Sequence, residues 1–179
     1  PHYDAMRTEL ATGQFADLAL DIRQSPSLES VLRVARMKSG NYTVRRPLEI
    51  GAAMAGCDER TLARLGQYGA AIGEAFQLRD DILGIFGSTE ATGKPNGGDL
   101  VERKATTVMI TALQMADPST RSQFVELINT ERLDDADLER WRSLILATGA
   151  VQRTEALIAE RVRAAQQALD GSDIDAVIM

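Results

Sequence analysis

The stretch LARLGQYGAAIGEAFQLRDDILGIF, residues 62–86, decides the fold. Within it Leu62, Leu65, Gly69, Ile72, Phe76, Asp80 and Leu83 follow at intervals of 3, 4, 3, 4, 4 and 3. At about 100° per residue that spacing puts them on one face of a helix, running from near Asp58 to about Phe86. An aspartate thereby falls in the apolar stripe, which predicts an inward-facing Asp80. An ionised carboxylate so placed needs a cation or several donors, because burying it unpaired is very costly. Gln77, Asp80 and Gly84 lie within about 60° of one another, whereas Asp81 is rotated by about 100° from Asp80. Gln77 and Asp80 can therefore address one ligand together, and Asp81 reaches its flank. Magnesium bridging carboxylate and phosphate oxygens would satisfy such an acid, since it prefers hard oxygen ligands and keeps several waters. The competing reading pairs Asp80 with Arg79, Lys94 or a helix N-terminus in an ordinary helical module.

Downstream, residues 87–98 form a loop rich in Gly, Thr, Asn and Pro. Its glycines permit close backbone approach, and Lys94 can reach a phosphate as a mobile point charge. It is not a Walker loop: Gly87 stands six residues before Gly93 where five are required, and Pro95 follows Lys94. The alternative is a plain interhelical turn capped by Asp99. Val101, Ala105, Val108, Ala112 and Met115 predict the next helix, closed near Asp117-Pro118. Arg103 and Lys104 in its first turn oppose the helix dipole, and make sense beside an anion or an acidic cluster. Amphipathic patterns over 119–130, 135–148 and 151–169 predict three more helices, and the tail 171–179 is expected to fray.

Upstream, residues 4–18 read as a helix. Ser25-Pro26-Ser27 marks a break with Ser27 as N-cap, and Leu28, Val31 and Ala35 start a stripe that arrives at Lys38. Lys38 is thus directed toward the core side, or snorkels with its ammonium in water. Gly40-Asn41 is expected to interrupt this helix, and Pro47 to open a short one through Met54. Strand formers alternate too seldom for a sheet, so the chain is read as one all-α domain over residues 1–179.

Bulk properties narrow the function. A length of 179 residues with 44% hydrophobic content suits one core. A formal charge of -6 argues against nonspecific nucleic-acid binding, which needs a basic excess. The lone Cys57 forms no internal disulfide and is read as a small buried hydrophobe, and His2, the single histidine, leaves a histidine-based zinc site or triad without support. Trp141 and the six methionines read as core filling. No uncharged apolar run approaches the roughly 20 residues of a membrane span, so the expectation is a cytoplasmic protein with peripheral membrane contact at most. The start at Pro1 fits trimming, a fragment, or a piece of a longer product.

An ordered set of short motifs runs along the first part of the chain: Glu9 with Gly13-Gln14-x-x-Asp17-Leu18, Lys38-Ser39-x-x-Tyr42-Thr43, Phe76-Gln77-x-x-Asp80-Asp81, Gly93-Lys94-x-x-Gly97-Gly98-Asp99-Leu100, and Glu102-x-Lys104-x-Thr106. Together they resemble the second half of a trans-isoprenyl diphosphate synthase, of the bacterial geranylgeranyl or related short-chain polyprenyl type. The resemblance covers Glu9 to Thr106. It implies an all-α isoprenoid-synthase helical bundle, here incomplete with its N-terminal helices missing, usually assembled as a homodimer. It implies a prenyltransferase that condenses isopentenyl diphosphate with an allylic diphosphate, releasing pyrophosphate with the help of Mg2+. By resemblance, Asp80 and Asp81 are metal-binding residues, with Asp80 the direct ligand. Lys38 and Lys104 match lysines that hold the allylic diphosphate. Ser39 or Thr43, together with Gln77, match positions beside the forming carbocation, Gln14 and Asp17 match a pair lining the same cavity, and Lys94 corresponds to a basic residue of the closing loop.

Two departures stand out. The family usually reads Asp-Asp-x-x-Asp, and this chain has Gly84 in the fifth place, which removes one carboxylate from the metal face. The first aspartate-rich motif and the basic residues that receive isopentenyl diphosphate are absent, so the chain by itself is expected to be inactive. The alternative is a noncatalytic helical subunit that binds or regulates a prenyl synthase; a third reading is a helical interaction module without a ligand.

Overall fold

The computed structural model describes residues 2–87 and 97–170, and among them every regular element is helical. Lys94 and the tail 171–179 therefore lie outside the described residues. Helix α1 is His2–Ala19, followed by a 3-10 turn at Ile22–Gln24, α2 at Leu28–Ala35 and a π-helical segment at Arg36–Arg45. Then come α3 (Arg46–Met54) and α4 (Glu59–Phe86). The short α5 (Gly98–Val101) precedes α6 (Thr107–Met115), α7 (Pro118–Asn129), α8 (Asp135–Thr148) and α9 (Ala150–Leu169).

The helices begin where side chains can satisfy their orphan N–H groups. Ser27 Oγ accepts the Ser30 N–H, as its predicted cap role requires. Thr106 accepts from Met109 N, and Asp117 accepts from Ser119 N and Thr120 N ahead of Pro118. Asp134 and Asp137 cap α8 reciprocally, and α8 ends at Gly149, whose φ of 78° suits a residue without Cβ.

Two boundaries differ from the sequence reading. Gly40-Asn41 does not interrupt the helix: the backbone continues in π-helical form through Arg36–Arg45 and straight into α3. The expected helix from Val101 to Met115 is broken instead. Residues 102–106 leave the helical path, with Arg103 at φ 53°, so Arg103 and Lys104 are not first-turn residues. Arg103 donates from Nε to the carbonyl of Ile128 at 3.0 Å and from its terminal nitrogens to Thr130 and Val101. It thereby satisfies carbonyls at the C-terminus of α7, where a cation is favourable.

The contacts group the chain into two compact units. One comprises Pro1–Leu18, Leu32–Gln77 and Leu157–Met179; the other comprises Ala19–Val31 and Leu78–Ala156. The second unit holds most of the apolar core. Its hub is α8, against which α5, α6 and α7 pack, with Trp141, Ile145, Phe124, Val108 and Ala112 fully enclosed. Of the methionines read as core filling, Met109 is buried but Met54 and Met115 are exposed. Cys57 is half-buried rather than enclosed.

The first unit is drawn together by close backbone approach and polar pairs. A Cβ on Gly13 would stand 2.6 Å from Lys38 N, and one on Gly40 would stand 2.9 Å from the carbonyl carbon of Gly73. These glycines let α1 and α4 meet the π-helical segment backbone to backbone. Buried Glu74 receives Arg161 Nε at 2.7 Å and pairs with Arg36 at 3.3 Å.

Candidate functional site

The motif residues fall into two groups, one in each unit. In the first unit Lys38 Nζ donates to Asp17 Oδ2 at 2.6 Å, so two residues singled out from the sequence meet directly. The Lys38 side chain is 24% exposed and ion-paired, which is neither of the two readings, core-directed or snorkelling into water. Ser39 and Gln77 are half-buried, while Gln14 and Thr43 are exposed.

Beneath this pair lies an ionic network only partly foreseen. Glu9 accepts from Asn41 Nδ2 at 2.5 Å and from Arg46 Nε at 2.8 Å. Glu49, itself buried, accepts from Arg45 and Arg46, each at 2.8 Å. Burial alone would raise the Glu49 carboxyl, but hydrogen bonds and charge from Arg45 and Arg46 outweigh it and hold the group below its ordinary value. Burial likewise opposes the Arg46 charge, and Glu9 and Glu49 together raise it. Arg45 and Arg46 are thus committed to internal pairs. Only Glu49 lacked a sequence signal; its place at i+4 from Arg45 and i+3 from Arg46 was the available clue.

Toward the end of α4 the face expected to turn inward is the exposed one. Asp80 is exposed, with Phe76 53% and Leu83 41% exposed on the same face. The buried face of α4 carries Leu78, Asp81, Ile82 and Ile85. The expectation of an inward Asp80 is therefore corrected, and with it the argument that burial obliges Asp80 to hold a cation. The physical reason is drift: intervals averaging about 3.5 walk round a straight helix by about 20° per heptad. Three heptads carry the stripe off the core. Nor does Arg79 serve Asp80, because its guanidinium holds both oxygens of Glu155, at 2.6 and 2.8 Å.

Asp81, only 7% exposed, accepts the backbone N–H of Thr107 at 2.9 Å. It therefore sits at the start of α6, where a carboxylate faces the positive end of the helix dipole. One turn past Asp80, Gly84 abuts the carboxylate of Asp99. Asp99 Oδ1 accepts from Lys104 Nζ at 2.9 Å, and Glu102 pairs with the same ammonium at 2.9 Å. Partial burial would lower the Lys104 ammonium, but the hydrogen bonds and charges of Asp99 and Glu102 outweigh it and raise it. Asp80 and Gly84 are four residues apart, roughly 6 Å along the axis. Lys104 is thus tied, through Asp99, to the turn of α4 that follows Asp80.

Among the described residues no group of three or more His, Cys, Asp or Glu side chains could hold a metal ion. Asp81 is engaged by Thr107, Asp99 by Lys104, and Gly84 supplies no carboxylate. These residues fit only a metal that arrives with most of its oxygen ligands, water and phosphate, already attached, as magnesium does. No helix among the described residues is long and apolar enough to cross a membrane.

Comparison with known proteins identifies the family. The chain is 32% identical over 161 residues to geranylgeranyl diphosphate synthase of Mycobacterium tuberculosis, an overlap of 90% of this chain and 46% of that protein. The structure of geranylgeranyl pyrophosphate synthase from Corynebacterium glutamicum, complexed with isoprenyl diphosphate and magnesium, matches with a TM-score of 0.90 and 36% identity, covering 96% of this chain and 49% of the other. Polyprenyl synthetase from Streptomyces coelicolor matches with a TM-score of 0.88 and 29% identity, covering 96% and 52%. The chain thus spans about half the length of the relatives it matches. The polyprenyl synthetase model matches residues 3–145, and with the all-helical fold and the ordered motifs this establishes that the chain belongs to the polyprenyl synthetase family.

Proposed function

We propose that this chain supplies the carboxyl-terminal part of a short-chain, geranylgeranyl-type prenyltransferase site, which joins isopentenyl diphosphate to an allylic diphosphate and releases pyrophosphate. The observation that supports the reading is exposed Asp80 on α4 with Lys104 paired to Asp99, which abuts Gly84 one turn further along the same helix. An ammonium and a carboxylate so spaced offer two kinds of grip on one diphosphate, the cation directly and the carboxylate through a shared metal.

Ionising an allylic diphosphate leaves a spread cation and a concentrated anion, so stabilising the leaving group is the main electrostatic task. Magnesium, when bound with the diphosphate, would supply Lewis-acid stabilisation of that group. Lys104 contributes positive charge, and Asp99 and Glu102 raise its pKa above the ordinary lysine value against the effect of partial burial. Asp80 stands exposed on α4. Asp81 supports the site from below by holding the start of α6, a role distinct from metal binding.

By resemblance, Lys38 is assigned a diphosphate as well, and in the structure its ammonium pairs with Asp17 at 2.6 Å. Ser39 or Thr43, together with Gln77, is assigned to the cation, Gln14 to the cavity wall, and Lys94 to a closing loop. A homodimeric cytoplasmic enzyme, inactive as this segment alone, completes the proposal.

The test is calorimetric titration of the chain with inorganic pyrophosphate, with and without magnesium. Magnesium-dependent binding that falls about tenfold or more in Asp80→Ala and in Lys104→Ala is expected, the size of a lost charge-assisted hydrogen bond. Absence of binding by the parent chain would sink the reading. Binding unchanged in both variants would do the same.

A further inference from the structure

The way α5 ends decides where Lys104 stands. The Arg103 N–H donates to the carbonyl of Leu100 at 3.0 Å, and the Lys104 N–H donates to the carbonyl of Asp99 at 2.9 Å. Two such bonds closed round a left-handed residue form the turn that stops many helices. The left-handed residue is Arg103, at φ 53°. Lys104, next in the chain, is thereby folded back onto α5, and its ammonium meets the carboxylates of Asp99 and Glu102, each at 2.9 Å. With its side chain 45% exposed, Lys104 gains little from packing, so the backbone turn and the two acids set its place.

Glycine is the usual occupant of such a turn, because an L side chain there crowds its own backbone. An arginine in that conformation needs a compensating hold. Its Nε donates to the carbonyl of Ile128 at 3.0 Å, and its terminal nitrogens donate to the carbonyls of Thr130 and Val101. Ile128 lies in the last turn of α7 and Thr130 is its C-cap, where a helix leaves carbonyls without intrahelical partners. One residue therefore closes two helices, α5 through its backbone and α7 through its side chain. A strained backbone persists where its surroundings over-determine it, and such residues gather at functional sites.

We propose that Arg103 is a positioning residue for Lys104: gripping the C-terminus of α7, it holds the left-handed turn that ends α5 and so keeps the ammonium on Asp99 and Glu102. The proposal rests on the reading of Lys104 as a diphosphate-binding group. A bland alternative makes Arg103 a cap for α7 alone, in which case loss of the guanidinium lowers stability and leaves Lys104 as it was.

The experiment compares Arg103→Val with Arg103→Gly. Both lose the guanidinium, and they differ in backbone: glycine accepts a positive φ freely, whereas a β-branched residue resists it. Two readouts are taken on each: pyrophosphate affinity by calorimetry with magnesium present, and the Lys104 ammonium resonance by 15N NMR, assigned through Lys104→Arg. Arg103→Val is expected to lower affinity about tenfold and shift the resonance, while Arg103→Gly recovers affinity to within about threefold of the parent, together with the parent resonance. A parent-like resonance in Arg103→Val, or the same affinity and resonance in both variants, overturns the proposal. Should the parent bind no pyrophosphate, the proposed function fails, and the resonance alone decides whether Arg103 positions Lys104. Should Arg103→Val fail to fold, Arg103→Ala, with a smaller backbone penalty, gives the same two outcomes.

Discussion

Asp81 Oδ2 accepts the backbone N–H of Thr107, the first residue of α6, at 2.9 Å and at 7% exposure. Its neighbour Asp80, one residue earlier on the same helix, is exposed. Two adjacent aspartates of one motif therefore have different surroundings: one is bonded inside the fold, the other stands at the surface.

That division predicts opposite responses to substitution. Asp81→Ala removes a buried charged acceptor and leaves a helix N-terminus unsatisfied, at a cost of about 1.5–3 kcal/mol. Asp80→Ala, at the surface, should change stability by less than about 0.5 kcal/mol. On the proposed prenyltransferase reading, Asp80→Ala should lower turnover of the full-length protein more than Asp81→Ala. Urea unfolding of both variants checks the first statement; equal midpoints would show that Asp81 does not support α6.

The Glu49 network predicts a pH dependence. Glu49 has a folded pKa below its ordinary value of 4.5. Its contribution is therefore present above about pH 4.5, and is lost as pH falls through the depressed folded value. Glu49→Gln should cost roughly 2 kcal/mol at neutral pH, less than a fully buried pair because Arg45 is 35% exposed. The cost should shrink on acidification below pH 4. Thermal melts of parent and variant from pH 3 to 7 measure it, and a difference constant across that range would contradict the assignment.

The crossing of the π-helical segment with α4 predicts a reversal of helix propensity. Alanine is a better helix former than glycine by about 1 kcal/mol, yet Gly40→Ala places a Cβ 2.9 Å from the Gly73 carbonyl carbon. Overpacking of this kind costs about 1–3 kcal/mol, so Gly40→Ala should destabilise while Gly51→Ala, which meets nothing within 4 Å, should not. If denaturant midpoints showed both variants equally stable, the close crossing would be wrong.

Much of the helical plan was legible in the chain. The pattern from 58 to 86 became one helix, Glu59–Phe86, and the patterns over 119–130, 135–148 and 151–169 became α7, α8 and α9 with only small shifts at their ends. Ser27 and the Asp117-Pro118 pair marked helix boundaries because capping is local chemistry. Gly40-Asn41 misled for the opposite reason: its glycine serves a tertiary crossing, and the backbone absorbs it as a π-helical segment rather than a break. Arg103 and Lys104 looked anomalous as first-turn residues, and the anomaly signalled a misplaced boundary as well as an acidic neighbour.

The sequence alone determined an all-helical chain, the helix that carries the two aspartates, and the ordered motifs of the family, because period, caps and residue order are properties of the chain itself. Tertiary structure decided which of two adjacent carboxylates is buried, where Lys104 points, and that Asp99 occupies the space beside Gly84. Spacing gives the angle between two side chains on one helix; which side of that helix is covered depends on elements distant in the chain, and only their packing can settle it.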